Sequence, residues 1–316
     1  MSIRFRPTLS LRQGLFALLL GFAAATTAQA QPPLSDICGA CVLEQFASCG
    51  GFLEGASVDG SGRLWVVDLL SGNLLSVDDE GQCAVEGNTG GQPNGAKFHR
   101  DGRLFIADKA RGILAFDPDD DSITTITNSY RSETLRGTND LIFDSTGGLY
   151  FTEPYGSSAL NPNGRLFYLP PGEGAALQVI ADNLAFPNGV ALSADGARVY
   201  VGEYANKRIV SLPSTLSQDI FDTAFVFANF TGGIGPDGFA LDADGNVYAA
   251  VFQSGSVQIV SAQGFPVGTL RLPAEAGTFI TNLTFKDGWL YITEASQGEI
   301  WRVRMSKPGL PLYHQQ

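Results

Sequence analysis

Asn188-Gly-Val-Ala-Leu-Ser-Ala-Asp-Gly-Ala-Arg-Val-Tyr-Val-Gly-Glu203 is the stretch that decides the fold. Two short apolar runs flank the dipeptide Asp195-Gly196. Asp-Gly between apolar runs signals a tight hairpin whose two turn residues take positive φ. The pattern returns five more times. Glu54-Gly-Ala-Ser-Val-Asp59 leads into Arg63-Leu-Trp-Val-Val-Asp68, and Asn94-Gly-Ala-Lys-Phe-His99 into Arg103-Leu-Phe-Ile-Ala-Asp108. Asn139-Asp-Leu-Ile-Phe-Asp144 leads into Leu149-Tyr-Phe-Thr-Glu153, and Asp237-Gly-Phe-Ala-Leu-Asp242 into Asn246-Val-Tyr-Ala-Ala-Val251. Asn282-Leu-Thr-Phe-Lys286 leads into Trp289-Leu-Tyr-Ile-Thr-Glu294. The starts are 40, 45, 49, 49 and 45 residues apart.

A third apolar run follows in each unit: Leu74–Val77, Gly112–Phe116, Gly164–Tyr168, Arg208–Leu212, Ser256–Val260 and Glu299–Val303. An outer fourth strand fits before each next start, as at Gln178–Ile180 and Phe225–Ala228. No helical periodicity of useful length appears in the chain after residue 30. A four-stranded unit of this length, repeated six times, reads as an all-β, six-bladed β-propeller with four-stranded antiparallel blades. One such sheet cannot bury both faces alone, and radial packing of six does so. Nothing after Val303 reads as an outer strand, so Ala40–Ser48 is expected to close the ring from the N-terminal side. Two tandem three-unit sheets would need a break between the third and fourth units, and the spacing shows none.

Residues 1–30 read as a cleaved signal peptide: Arg4, Arg6 and Arg12, the apolar run Leu15–Ala25, then Ala28-Gln29-Ala30. The apolar run is too short to span a bilayer. The expected product is periplasmic or secreted, cut after Ala30. The domain reading is then 1–30 signal peptide, 31–51 N-terminal segment with the ring-closing strand, 52–304 propeller and 305–316 tail. The formal charge of −12 falls to −15 when the three arginines leave, which disfavours nucleic acid and anionic lipid as partners. No protein partner is implied. Cys38, Cys41, Cys49 and Cys83 are read as disulfide staples. Four cysteines allow three pairings, and the sequence does not choose among them.

In a propeller the first strand of each blade lines the central channel, so residues at one repeat position form a ring. At the first position that ring is Glu54, Asn94, Asn139, Asn188, Asp237 and Asn282, all carboxylates or carboxamides. Oxygen donors with two acids and no His or Cys suit one hard divalent cation, Ca²⁺ first, with Mg²⁺, Mn²⁺ or Zn²⁺ as alternatives. The plainer reading is side-chain-to-backbone capping at a strand start. A second set, Asp68, Asp108, Glu153, Glu203 and Glu294, ends the second strands and reads as strand caps. His99 falls at the opposite face and His314 in the tail, so a Ser–His–Asp triad is not expected. Acid–base work would fall to a carboxylate or to metal-bound water.

Glu54-Gly55, Arg136-Gly-Thr-Asn-Asp140, Phe186-Pro-Asn-Gly189 and Pro236-Asp-Gly238 resemble the motifs of the senescence-marker (regucalcin)/gluconolactonase/lactonase family of six-bladed propellers. The resemblance covers residues 52–304. It implies Glu54, Asn139, Asn188 and Asp237 as ligands of one cation. It also implies Asp237 as the catalytic carboxylate, Asn139 as a residue touching both metal and substrate, and Arg136 at the substrate. Asn94 in the ring, and Tyr155 in the long loop Pro154–Gly164, are further candidates to touch substrate. The expected activity is hydrolysis of a small lactone, the cation polarising the carbonyl and Asp237 serving as base or nucleophile. A non-catalytic ligand- or protein-binding propeller with a structural cation is the alternative. A condensing enzyme resembling strictosidine synthase shares the fold, but Glu54 and Asp237 together argue against it.

Overall fold

The computed structural model describes residues 33–218 and 222–316. The expected signal peptide lies outside the described residues. Six four-stranded antiparallel sheets follow one another along the chain. The inner strands are Leu53–Val58, Pro93–Phe98, Leu141–Phe143, Pro187–Leu192, Gly235–Leu241 and Ile280–Lys286. In blades one to five the remaining strands follow outward in chain order. In blade six the order is Ile280–Lys286, Trp289–Glu294, Glu299–Arg304 and then Leu43–Ser48 from the other end of the chain. Leu43 pairs with Val303 and Ser48 with Glu299. The ring closes as the missing outer strand required.

The reason for closure is burial. Six clusters of buried apolar side chains lie one at each blade interface. Trp65, Val67 and Leu74 of blade one meet Phe98, Leu104 and Ile106 of blade two. Tyr248 and Val257 of blade five meet Ile280, Leu290 and Trp301 of blade six. Each fully buried Leu, Ile or Phe contributes about 1.5–3 kcal/mol, which a lone sheet could not collect on both faces.

The hairpin turns differ from the sequence reading. Only Asp287-Gly288 has both turn residues at positive φ, at 51° and 75°. In blades one, two, three and five the turn holds three residues, with a single positive-φ glycine at Gly62, Gly102, Gly147 or Gly245. In each of these blades the residue that opens the turn, an aspartate in blades one, three and five and His99 in blade two, accepts from the turn's own N–H groups. Asp59 accepts from the N–H groups of Ser61 and Arg63 at 2.9 Å each, and Asp144 accepts from those of Thr146 and Gly148 at 2.8 and 2.9 Å. A side chain that satisfies those donors favours the three-residue turn with a glycine bulge.

Two disulfides form, Cys38–Cys41 and Cys49–Cys83. The second joins the end of the ring-closing strand to the start of the outer strand of blade one, Cys83–Asn88. Residues 306–316 fold back across the lower face. Ala243 donates to the Pro308 carbonyl at 3.0 Å, Leu310 donates to the Leu241 carbonyl at 2.8 Å, and the Tyr313 ring sits 5.1 Å from that of His99. His99 is therefore on the face opposite the inner-strand starts, as its place in the repeat required.

Candidate functional site

Five of the six inner strands carry a β-bulge at the same point. The register shifts between Glu54 and Ser57, Pro93 and Ala96, Pro187 and Val190, Pro236 and Phe239, and Ile280 and Leu283. A bulge re-aims a side chain that a regular strand would direct elsewhere. The residue so re-aimed is Glu54, Asn94, Asn188 or Asp237, with Asn139 at the same position in blade three. In blade six it is Thr281, a correction to the sequence ring. Leu283 takes the place of Ala96 and Val190, so Asn282 is one position beyond the ring and shares its place with Asp140. The signal was present in the sequence: counting back two from the first buried apolar residue, rather than matching Asn to Asn, gives Thr281.

Neighbouring blades bring these residues into one circle. The Gly95 N–H donates to the Asn139 carbonyl at 2.6 Å, and the Thr152 hydroxyl donates to the Asn188 carbonyl at 2.6 Å. The Thr281 hydroxyl reaches the Leu53 carbonyl at 2.6 Å and so links the last blade to the first. Gly55 and Gly189 abut the carbonyls of Asn94 and Asp237 so closely that a Cβ would overlap them. Glycine follows the ring residue because adjacent strands converge on the axis there.

The six ring residues are at most 9% exposed. Glu54 Oε2 and Asn139 Oδ1 are buried oxygens with no hydrogen-bond partner. Orphaned buried acceptors are rare and costly. Burial pushes the Glu54 carboxyl well above the usual carboxylate range, with Asp237 and Asp140 adding repulsion. Asp237 is raised by burial and by Asp140, against an opposing hydrogen bond from Asn188. Asp140 is raised by burial and partly relieved by Lys97. Lys97 is buried too, its ammonium bonded to the carbonyls of Ala56 at 3.3 Å and Ala96 at 3.2 Å. Lys97 serves as counter-charge to Asp140, whereas Glu54 and Asp237 are acted on by other carboxyl groups and gain no such relief. The donor set therefore fits a divalent cation held by Glu54, Asn139, Asn188 and Asp237. The set is mixed carboxylate and carboxamide, and no group of three or more His, Cys, Asp or Glu side chains suited to a metal occurs among the described residues. Nothing in the repeat pattern marks Lys97 or Asp140 as part of the site, because only the fold turns them inward.

The acids ending the second strands are loop anchors. Asp68 accepts from the N–H groups of Phe52 and Leu70 at 2.9 and 3.1 Å, and Glu294 from those of Phe279 and Gln297 at 2.9 and 2.8 Å. Glu153 holds the Arg136 N–H at 2.6 Å, both guanidinium groups of Arg136 and Arg165, and through them the loop above the ring. Arg136 thus lies at the mouth with its guanidinium committed to Glu153 and to the Asn163 carbonyl at 2.8 Å. Tyr155 stands beside Gly137 at the same mouth and is 59% exposed.

Comparison with known proteins places the chain among relatives. The family model for the SMP-30/Gluconolactonase/LRE-like region matches residues 52–296. Lactonase drp35 of Staphylococcus aureus is 33% identical over 232 residues, 70% of each chain, and that of Staphylococcus haemolyticus is 32% identical over the same length, again 70% of each chain. A gluconolactonase from Xanthomonas campestris superposes with a TM-score of 0.75 at 25% identity, covering 86% of this chain and 92% of its own. A calcium-binding regucalcin of Agrobacterium tumefaciens shares the fold, with a TM-score of 0.70 at 20% identity over 85% of this chain and 96% of its own.

Proposed function

This chain belongs to the SMP-30/gluconolactonase/LRE-like family, and from that premise we propose that it hydrolyses lactones with one divalent cation, Ca²⁺, at the axial ring. The observation that carries this is the pair of orphaned buried oxygens, Glu54 Oε2 and Asn139 Oδ1, beside the buried carboxylate of Asp237. Glu54, Asn139, Asn188 and Asp237 would hold the cation. When bound, it polarises the lactone carbonyl and stabilises the developing oxyanion.

The chain's own groups do the rest. Asp237 either takes a proton from the attacking water and passes it to the leaving alkoxide, or attacks the carbonyl itself to give an acyl-enzyme anhydride that water then hydrolyses, the water's proton going to the alkoxide. The ring C–O bond breaks, the leaving alkoxide takes a proton, and a hydroxy acid results. The Asn188 carboxamide favours the charged form of the Asp237 carboxyl against the effect of burial. Asn139 and Asn94 orient substrate from the ring, and Arg136 and Tyr155 do so from the mouth. The cysteine pairs fit an oxidising compartment, which supports secretion through the leader expected at residues 1–30. No helix among the described residues is long and apolar enough to cross a membrane.

The test is a panel of lactones and phosphotriesters assayed with Ca²⁺ and after exhaustive chelation, on the native protein and Asp237→Asn. Lactone turnover that needs metal and Asp237 is the expected result. Turnover untouched by chelation, or retained in Asp237→Asn, overturns the reading.

A further inference from the structure

Two repeat positions line the mouth above the ring. One lies two residues before the ring residue, the other one residue after the place of the strand-ending acid, which Val251 fills in blade five. Their backbones bond to each other: Lys109 donates to the Gln92 carbonyl at 2.9 Å and Tyr204 to the Phe186 carbonyl at 3.1 Å. The mouth is divided by what these positions hold. Blade two supplies Gln92 and Lys109, both polar. Blades four, five and six supply Phe186, Tyr204, Phe252 and Phe279.

Those four rings form a continuous wall. Phe186 and Tyr204 are 5.3 Å apart between centroids, Tyr204 and Phe252 6.1 Å, and Phe252 and Phe279 4.8 Å. Each ring is only half-buried, so one side of the wall faces the mouth. Phe186 is held at φ 54°, a conformation that a bulky residue adopts only when its surroundings impose it. The Ser157 hydroxyl accepts from its N–H at 3.0 Å and helps to fix it there. Tyr204 lies within electrostatic reach of Asp237 and Glu54, so the wall borders the reacting centre.

Resting on the lactonase reading, we infer that the substrate is a lactone bearing a flat or bulky apolar substituent, which lies against Phe186, Tyr204, Phe252 and Phe279. Three of the four rings carry no hydrogen-bonding group. A polyhydroxylated sugar lactone would leave hydroxyls unpaired against them, whereas an aryl or alkyl group is desolvated there. Such pocket contacts are worth about ten- to a hundredfold in selectivity.

The experiment compares kcat/KM of the Ca²⁺-loaded protein for γ-phenyl-γ-butyrolactone and glucono-δ-lactone. The phenyl lactone is expected to be preferred at least tenfold. Phe252→Ala and Phe279→Ala should each cut that ratio at least fivefold, mainly through KM. A native preference for the sugar lactone overturns the inference while leaving lactone hydrolysis intact. A ratio unmoved by both Phe variants does the same. Failure to open either lactone overturns the lactonase reading, and this inference with it.

Discussion

Asp140 and Asn282 occupy the same place in blades that face each other across the ring, and each side-chain oxygen accepts the N–H of the next residue at 2.9 Å. Their own N–H groups bond equivalent threonines, Thr152 at 3.1 Å and Thr293 at 2.9 Å. The other four blades have glycine there. One member of the pair is charged and the other is not. The second oxygen of Asp140 also accepts the Val190 N–H at 3.2 Å, and its charge lies within electrostatic reach of Glu54 and Asp237.

Asp140→Asn should keep the bond to the Leu141 N–H, which Asn282 shows a carboxamide can make, and lose the longer one to the Val190 N–H, so the variant should fold with a modest loss of stability. Its loss of one negative charge beside Glu54 and Asp237 should weaken Ca²⁺ binding about ten- to a hundredfold. Calorimetric titration measures this. Unchanged affinity would mean that Asp140 is neutralised by Lys97 alone.

Chelation should destabilise the protein. Two raised carboxylates and two orphaned oxygens face one another without a counter-charge. Ca²⁺ at a hundred times its Kd should restore about 2.7 kcal/mol. A thermal melt in chelator, followed by Ca²⁺ addition, reads the shift, and superimposable melts would refute a ring-bound ion.

The two disulfides should differ in worth. Cys49–Cys83 spans 34 residues and clasps the ring-closing strand to the next blade, whereas Cys38–Cys41 spans three. Loop-closure entropy assigns about 4 kcal/mol to the first and about 2 to the second. Denaturant unfolding of Cys49→Ala/Cys83→Ala and Cys38→Ala/Cys41→Ala tests the order. A larger loss from the short loop would contradict the clasp.

The strap across the lower face should loosen in acid. Burial, then the charge of Lys97, hold the His314 imidazole below its usual pKa, against a smaller opposing pull from Asp59. A depressed pKa means that the folded state binds fewer protons than the unfolded. The stability is present above about pH 6.5 and is lost as pH falls from there through the folded value. Hydrogen exchange over residues 309–315, corrected for intrinsic rates, should quicken at pH 5.5 relative to pH 7.5. His314→Gln should abolish the difference. Equal protection at both pH values in the native chain would remove His314 from this role.

The sequence alone determined the repeat, and with it the blade number, the circular closure and five of the six ring residues. It could do so because these are local facts repeated six times: apolar alternation, a turn and one oxygen-bearing side chain at a fixed offset. Ring closure followed from burial, because a blade lacking its outer strand must borrow one. Only the tertiary structure decided that Thr281 completes the ring, since the bulges that set register depend on which strand lies alongside. Only the tertiary structure turned Lys97 and Asp140 inward beneath the ring, paired the cysteines and gathered four aromatic residues from three blades into one wall. Each of these rests on contacts between distant segments, and such contacts exist only once the sheets have packed about their axis.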